Sequence, residues 1–330
     1  MTSVLRFLLL ILAFAVTGWT AAQDKAKDEA EETLSAIVRV RTKALPDARS
    51  AATLGTQREG SGVLVRDGYV ATIGYLVIEA ESIEVTGADG KSVPASLAAY
   101  DHTSGFGLLK LLAPLAGKPL PLGNSNTVAE REPALVAAYG GGDAVNVVRV
   151  VSRRPFSGSW EYMLDAAIFT TPPVMNWSGA SLISARGELL GLGSLIVADS
   201  AGTGTQSPGN MFVPADLLKS VLEDLIARGK AAGPARPWLG VNTEEMRGRL
   251  FVARVSPEGP ADKAGLTSGD ILIGVGGDEV SSLAEFYRKV WALGAAGVDV
   301  PLRVLQGVQV KEVTVRSIDR VEYFRAKPSY

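Results

Sequence analysis

The sequence predicts a mainly β chain of two units, an all-β barrel or sandwich domain followed by a smaller mixed domain. Three observations carry this. From Ala36 to about Val213, short apolar or alternating runs recur between Gly, Asn, Asp and Pro. Just after Pro214 the apolar period switches from that of a strand to that of a helix. From Trp238 onward a hairpin signal and a second amphipathic helix follow. The 330 residues also exceed one typical domain.

In chain order, Arg6 precedes an apolar run, Phe7–Val16, and small residues lead to Ala22. Residues 1–22 therefore read as a signal peptide cut after Ala22. A span needs about 20 apolar residues, and this run is shorter; an uncleaved membrane anchor is the alternative. QDKAKDEAEETL (23–34) is charged and helix-prone. Strands are expected at AIVRVR (36–41), SGVLV (61–65), SIEVTG (82–87), GLLKLL (107–112), ALVAAYG (134–140) and ELLGLGSLIV (188–197). In PADLLKSVLEDLIARG, residues Leu217, Leu218, Val221, Leu222, Leu225 and Ile226 form a helical face, with Asp216 near the start and Gly229 as C-terminal cap. KAAGPARP (230–237) reads as linker. The first unit spans 23–232, the linker proper 233–237, the second unit 238–320 and a tail 321–330. Within the second unit, ILIGV (271–275), Gly276-Gly277-Asp278 and EVSS predict a hairpin. SLAEFYRKVWAL then places Leu283, Phe286, Tyr287 and Val290 on one helical face.

Composition excludes several functions. A formal net charge of −2 gives no basic footprint for nucleic acid, and the small clusters RVR (39–41) and SRR (152–154) read as solvated surface. With no cysteine and one histidine, a disulfide framework is absent and most transition-metal sites are removed. No cofactor and no metal is expected.

The ordered motifs resemble the HtrA-type (DegP/DegS-like) proteins from about residue 34 to 320. They are EGSGVLVRDGYVAT, LPLGNSNTVAEREPALVAAYGGG (120–142), LDAAI (164–168), WSGASLISARGELLGLGS (177–194) and MFVPADLLKSVLEDLIARGK (211–230). In the second unit they are PWLGV (237–241) and SPEGPADKAGLTSGDILIGVGGDEV (256–280). The resemblance implies a trypsin-like double β-barrel followed by an α+β PDZ domain. It also implies where catalysis belongs. The family's TNAHVV or TNNHVV motif matches Thr72 to Val77, which puts Tyr75 at the general-base position. DHTSGFGLLK (101–110) puts Gly105 at the position of the triad aspartate. NWSGASL keeps Ser178 as nucleophile, with Asn176 at the oxyanion-hole position. FTTPPVMNW, ahead of that serine, is longer than the family pattern.

A serine hydroxyl attacks only when a neighbouring base takes its proton and a third group orients that base. Tyrosine, with a pKa of about 10, is a neutral donor at pH 7, and glycine orients nothing. In a comparable triad, losing the base alone costs on the order of a millionfold in kcat. His102, beside Asp101, offers a shifted arrangement, but it stands three residues before Gly105, roughly 10 Å along a strand. No local sequence supports a Ser–Lys dyad. Ser178 also reads simply as a small residue in a tight SG turn.

By the same resemblance, Leu239, Gly240 and Val241 form the loop whose N–H groups receive a peptide's terminal carboxylate, and Leu283, Phe286, Tyr287 and Val290 line the groove. Leu239 and Val241 read equally as core strand residues, with the second unit clamped onto the first. The leading expectation is an exported, periplasmic or envelope pseudoprotease that binds peptide C-termini or unfolded proteins. It would act as scaffold, chaperone-like factor or regulator of an active protease partner, and the resemblance implies the homotrimer usual in the family. The alternatives are a serine endopeptidase using Ser178 with a non-standard base, and a structural partner acting through the barrel surface.

Overall fold

The computed structural model describes residues 28–324. The expected signal peptide lies outside the described residues. Residues 28–35, the described part of the charged N-terminal stretch, form a largely exposed helix, α1.

Two closed six-stranded barrels follow. The first contains β1 (Ile37–Ala44), β2 (Gln57–Arg66), β3 (Tyr69–Ile73), β4 (Ala80–Thr86), β5 (Ser92–Tyr100) and β6 (Phe106–Leu111), in the order β1-β2-β3-β6-β5-β4. The second contains β7 (Pro133–Ala137), β8 (Val145–Gly158), β9 (Tyr162–Thr171), β10 (Ser181–Ile183), β11 (Leu189–Val197) and β12 (Gly209–Pro214), in the order β10-β11-β12-β9-β8-β7. Closure leaves neither sheet an unpaired edge. The alternation expected of AIVRVR appears in β1, where Val38, Val40 and Thr42 face the interior. One continuous core runs from the first barrel, around Val40, Phe106 and Leu108, into the second at Phe169, Ile183 and Met211.

The arginine clusters differ from the expectation of solvated surface. Arg39 and Arg153 are half-buried, and the Arg154 guanidinium lies 3.9 Å from the Phe169 ring centroid while donating to the Asp199 carbonyl. The aliphatic stem of arginine covers apolar surface while its head finds acceptors.

A helix, Ala215–Arg228, closes the first domain and buries Ala215, Leu218, Leu222 and Leu225. Gly229 ends it in the left-handed region (φ 69°), its N–H bonded to the Leu225 carbonyl. Asp216 accepts from Ser125 Oγ at 2.7 Å and Asn126 N at 2.9 Å, tying the LGNSNT loop to the helix start.

The second domain is a sheet in the order β13-β14-β15-β17-β18, comprising β13 (Val241–Met246), β14 (Arg249–Val255), β15 (Ile271–Val275), β17 (Asp299–Gln306) and β18 (Gln309–Arg316). The two-residue β16 (Asp278–Glu279) pairs with β15 across Gly276 and Gly277, whose φ values of 58° and 96° suit a tight hairpin turn. A helix over Leu283–Ala292 packs on the sheet, burying all four residues of the expected face: Leu283, Phe286, Tyr287 and Val290. Ser282 caps it by accepting from Glu285 N. β13 lies at the sheet edge and faces the first domain.

Phe106 is wholly buried in the shared core. Phe106→Ala should destabilise the first domain by about 3–5 kcal/mol, read as a lowered urea midpoint in its unfolding transition.

Candidate functional site

β3 runs into a 3-10 turn, Gly74–Leu76, that carries Tyr75 toward the second barrel. A side chain at Gly74 would meet the Tyr100 ring at 2.0 Å, so only glycine fits before the tyrosine. Ser178 arrives from the second barrel on a turn held by Ser61 N, which donates to the Ser178 carbonyl at 2.8 Å. Tyr75 Oη stands 2.9 Å from Ser178 Oγ and 3.0 Å from the Ser194 carbonyl. The fold therefore brings the nucleophile and base positions together, with a phenol in place of imidazole.

That phenol is a poor base. Burial, outweighing its hydrogen bond to Ser178, pushes the Tyr75 pKa up to about 12. At pH 7 only about one molecule in 10⁵ then carries a tyrosinate. The neutral hydroxyl has one proton, and the Ser194 carbonyl can only accept it. Whichever of its two partners Tyr75 donates to, Ser178 keeps a full hydroxyl proton.

The third position is closed by packing. Gly105 has φ 86°, its N–H donates to the Asp101 carbonyl at 2.7 Å and its carbonyl accepts from Gly74 N at 2.8 Å. A Cβ at Gly105 would stand 2.9 Å from Tyr162 Oη, which donates to the Ser104 carbonyl at 2.6 Å. The Asp101 carboxylate accepts from Thr103 N and Ser104 N within its own loop. His102 packs against the Tyr100 and Phe324 rings, and burial holds its pKa well below the usual imidazole value. It lines a cleft of about 180 Å³ between the domains with Tyr100, Glu161, Trp238, Trp291 and Arg320, not the space around Ser178. Asn176 is exposed two residues before Ser178.

In the second domain Leu239, Val241, Phe286, Tyr287 and Val290 are buried, Leu239 and Phe286 completely. The N–H groups of Leu239, Gly240 and Val241 point at a single acceptor, the Glu161 carboxylate, at 2.9, 2.7 and 2.9 Å. Glu161 sits at the tip of the β8–β9 hairpin. The same hairpin places the Ser159 carbonyl 2.8 Å from Thr243 N on β13, and Tyr287 Oη donates to the Gly158 carbonyl at 2.7 Å. Sequence reasoning did not single out Glu161. Its available signal was a Glu in a three-residue turn, GSWEYM, at a position that favours glycine.

At Ser178 the hydroxyl thus faces a buried neutral phenol, and Tyr162 occupies the space beside Gly105. The loop at 239–241 is built to receive a carboxylate. Among the described residues no group of three or more His, Asp or Glu is placed to hold a metal.

Two outcomes follow from this geometry. Gly105→Asp should lower stability by about 1–3 kcal/mol, because φ 86° disfavours any side chain and Tyr162 blocks its path; chemical denaturation measures it. Burial also pushes the Glu161 carboxyl from 4.5 up to about 7, against the pull of the three N–H donors and of Arg320. Its docked pKa exceeds its free value, so docking takes up a proton. Docking is then tightest below about pH 4.5, weakens by on the order of 3 kcal/mol as pH rises through 7, and levels off above. Hydrogen exchange at the Leu239, Gly240 and Val241 amides, corrected for intrinsic rates, should show protection falling across that window.

Comparison with known proteins agrees with this architecture. Residues 60–192 match the trypsin-like peptidase domain and residues 237–316 the PDZ domain. A probable periplasmic serine endoprotease, DegP-like, of Ectopseudomonas mendocina is 31% identical over 263 residues, covering 72% of this chain and 53% of that protein. A probable periplasmic serine protease, do/HhoA-like, of Haemophilus influenzae is 28% identical over 280 residues, covering 78% and 57%. The chain thus spans a little over half the length of these curated relatives. Among solved structures, the HtrA-type protease AlgW with decapeptide superposes with a TM-score of 0.52 at 21% identity, covering 91% of this chain and 98% of that one. The serine endoprotease from Yersinia pestis gives 0.52 at 23%, covering 89% and 97%. Both are likenesses of fold. With its two domains in this order and its motifs in this sequence, the chain belongs to the HtrA-type proteins, with a trypsin-like domain followed by one PDZ domain.

Proposed function

We propose that this protein is an exported HtrA-like pseudoprotease that holds polypeptide rather than cutting it. The observation that carries this is the 2.9 Å contact between Tyr75 Oη and Ser178 Oγ. A neutral phenol fills the place from which imidazole would draw the serine proton, and Tyr162 fills the space at Gly105. Without proton transfer at Ser178, acylation loses on the order of a millionfold in kcat, or ~8 kcal/mol. In this reading the PDZ domain supplies the binding function, taking peptide C-termini or unfolded protein through the loop at Leu239–Val241 and the groove beside Tyr287. The chain then serves as scaffold, chaperone-like factor or regulator of an active protease. The periplasmic names of the relatives support an envelope location, and a homotrimer is the assembly this reading includes.

The competing reading, a serine endopeptidase with Tyr75 as base, draws on the same hydrogen bond. It requires the tyrosinate that burial disfavours. Purified protein should digest casein no faster than its Ser178→Ala variant, and a fluorophosphonate probe should leave Ser178 unlabelled. Ser178-dependent cleavage at a protease-like rate would end the pseudoprotease reading. Tyr75→His by itself should not restore activity, since nothing at Gly105 orients an imidazole.

A further inference from the structure

The β8–β9 hairpin contributes more to the second domain than a packing surface. Three of its features copy what a bound chain terminus offers a PDZ groove. The Glu161 carboxylate accepts the N–H groups of Leu239, Gly240 and Val241. The Ser159 carbonyl accepts from Thr243 N at the free edge of β13, a backbone contact of the strand-addition kind. Met163, one strand residue beyond, is buried in the second domain's own apolar core with Leu239, Val241, Phe286 and Val290.

Two further observations show how closely the turn is fixed in this place. Tyr287 holds both ends of it, donating to the Gly158 carbonyl at 2.7 Å while its oxygen lies 3.2 Å from Glu161 N. Arg320 fixes the middle by donating to the Trp160 carbonyl at 3.1 Å. Glu161 itself has φ 56°, in a region that disfavours residues other than glycine. A glycine would relax the backbone there, and it would leave three inward-pointing N–H groups without the carboxylate.

We infer that residues 158–163 are a built-in ligand of the PDZ groove, so that a peptide ending in a free carboxylate and an apolar residue binds only by displacing the hairpin. Each N–H of the loop has one proton to donate, so the two carboxylates exclude one another. The inference rests on the peptide-binding reading of the second domain and adds that this site is closed by the first domain. Opening it frees Tyr287, Glu161 and Met163 together and so loosens the hairpin between β8 and β9 of the second barrel. Peptide binding is in this way coupled to the arrangement of the two domains.

The test uses the full chain and its Glu161→Ala and Glu161→Gln variants, each first checked for a cooperative thermal transition. Two fluorescein-labelled pools of decapeptides, randomised in the last three residues, serve as probes: one with a free C-terminal carboxylate and one amidated. Hydrogen exchange at Leu239, Gly240, Val241 and Thr243 is followed in parallel. Loss of protection at these amides in Glu161→Ala, with free-acid peptides binding at least tenfold tighter than to wild type and amidated ones not at all, supports the inference. Measurable binding of the free-acid pool with equal affinity by wild type and variant overturns it while leaving the peptide-binding reading intact. Loss of protection without binding of either pool upholds the hairpin as occupant and instead defeats the peptide-binding reading. Unchanged protection in both variants overturns the occupancy itself. Glu161→Gln guards against a merely structural effect. It keeps the side chain's size but replaces one acceptor oxygen with a donor, so it should show the same direction with a smaller change.

Discussion

The relation between the two domains turns on one carboxylate. The segment Leu239-Gly240-Val241 enters β13 with its N–H groups pointing the same way, and Gly240 at φ 84° helps to turn them there. Buried backbone donors must find acceptors, and leaving several unmade is costly. Glu161 satisfies all three from a different domain. Burying an ionisable group there carries its own penalty, visible in its raised pKa. The hairpin is therefore held by a balance of donor satisfaction against desolvation. Flanking contacts such as Tyr287 to Gly158, Arg320 to Trp160 and the ion pair of Arg49 with Glu258 add to the docked side.

The surroundings of Ser178 follow a similar logic, in which packing decides which residues fit. Tyr100 needs Gly74, Tyr162 needs Gly105, and Tyr75 reaches Ser178 because Gly74 lets the turn sit close to the Tyr100 ring. Tyr162 belongs to the hairpin strand β9 that also presents Glu161. The closure of the acid position and the occupation of the PDZ loop thus come from adjacent residues, 161 and 162. A change that moves the hairpin moves both.

The fold was legible where one period dominated. AIVRVR became β1, and the Leu283, Phe286, Tyr287 and Val290 face became the buried side of its helix, because alternation and helical spacing report burial directly; GLLKLL became β6 as a run buried on both faces rather than an alternating one. The barrel order, which pairs β3 with β6, depends on contacts far apart in sequence and came only through family resemblance. At the site, the substitutions at Tyr75 and Gly105 were readable because motif positions could be matched. What packs around them was not. Tyr162 lies 58 residues from its acceptor Ser104, and Glu161 lies 78 from Leu239. The one local signal is a Glu at a turn position that favours glycine, and it says nothing of the partner; a Tyr beside a turn looks like an ordinary hairpin residue. The basic cluster SRR misled for the opposite reason, as charge counts exposure poorly when an arginine stem can lie on Phe169.

The turn that carries Ser178 is also fixed by its neighbours. The Ser178 carbonyl accepts from Ser61 N on β2, and a side chain at Gly60 would meet that carbonyl at 2.7 Å and Ser178 Oγ at 3.1 Å. At the next residue, Gly179 has φ 71°, and a Cβ there would stand 2.0 Å from the Ser61 carbonyl. The turn is a joint at which strand β2 of the first barrel meets the second, and its tolerances admit only glycine at 60 and 179. Such a joint stays under constraint whether or not the hydroxyl ever attacks a substrate. Positions 75 and 105 are held as closely, Tyr75 by its hydrogen bonds to Ser178 and the Ser194 carbonyl and Gly105 by its φ of 86° beneath Tyr162.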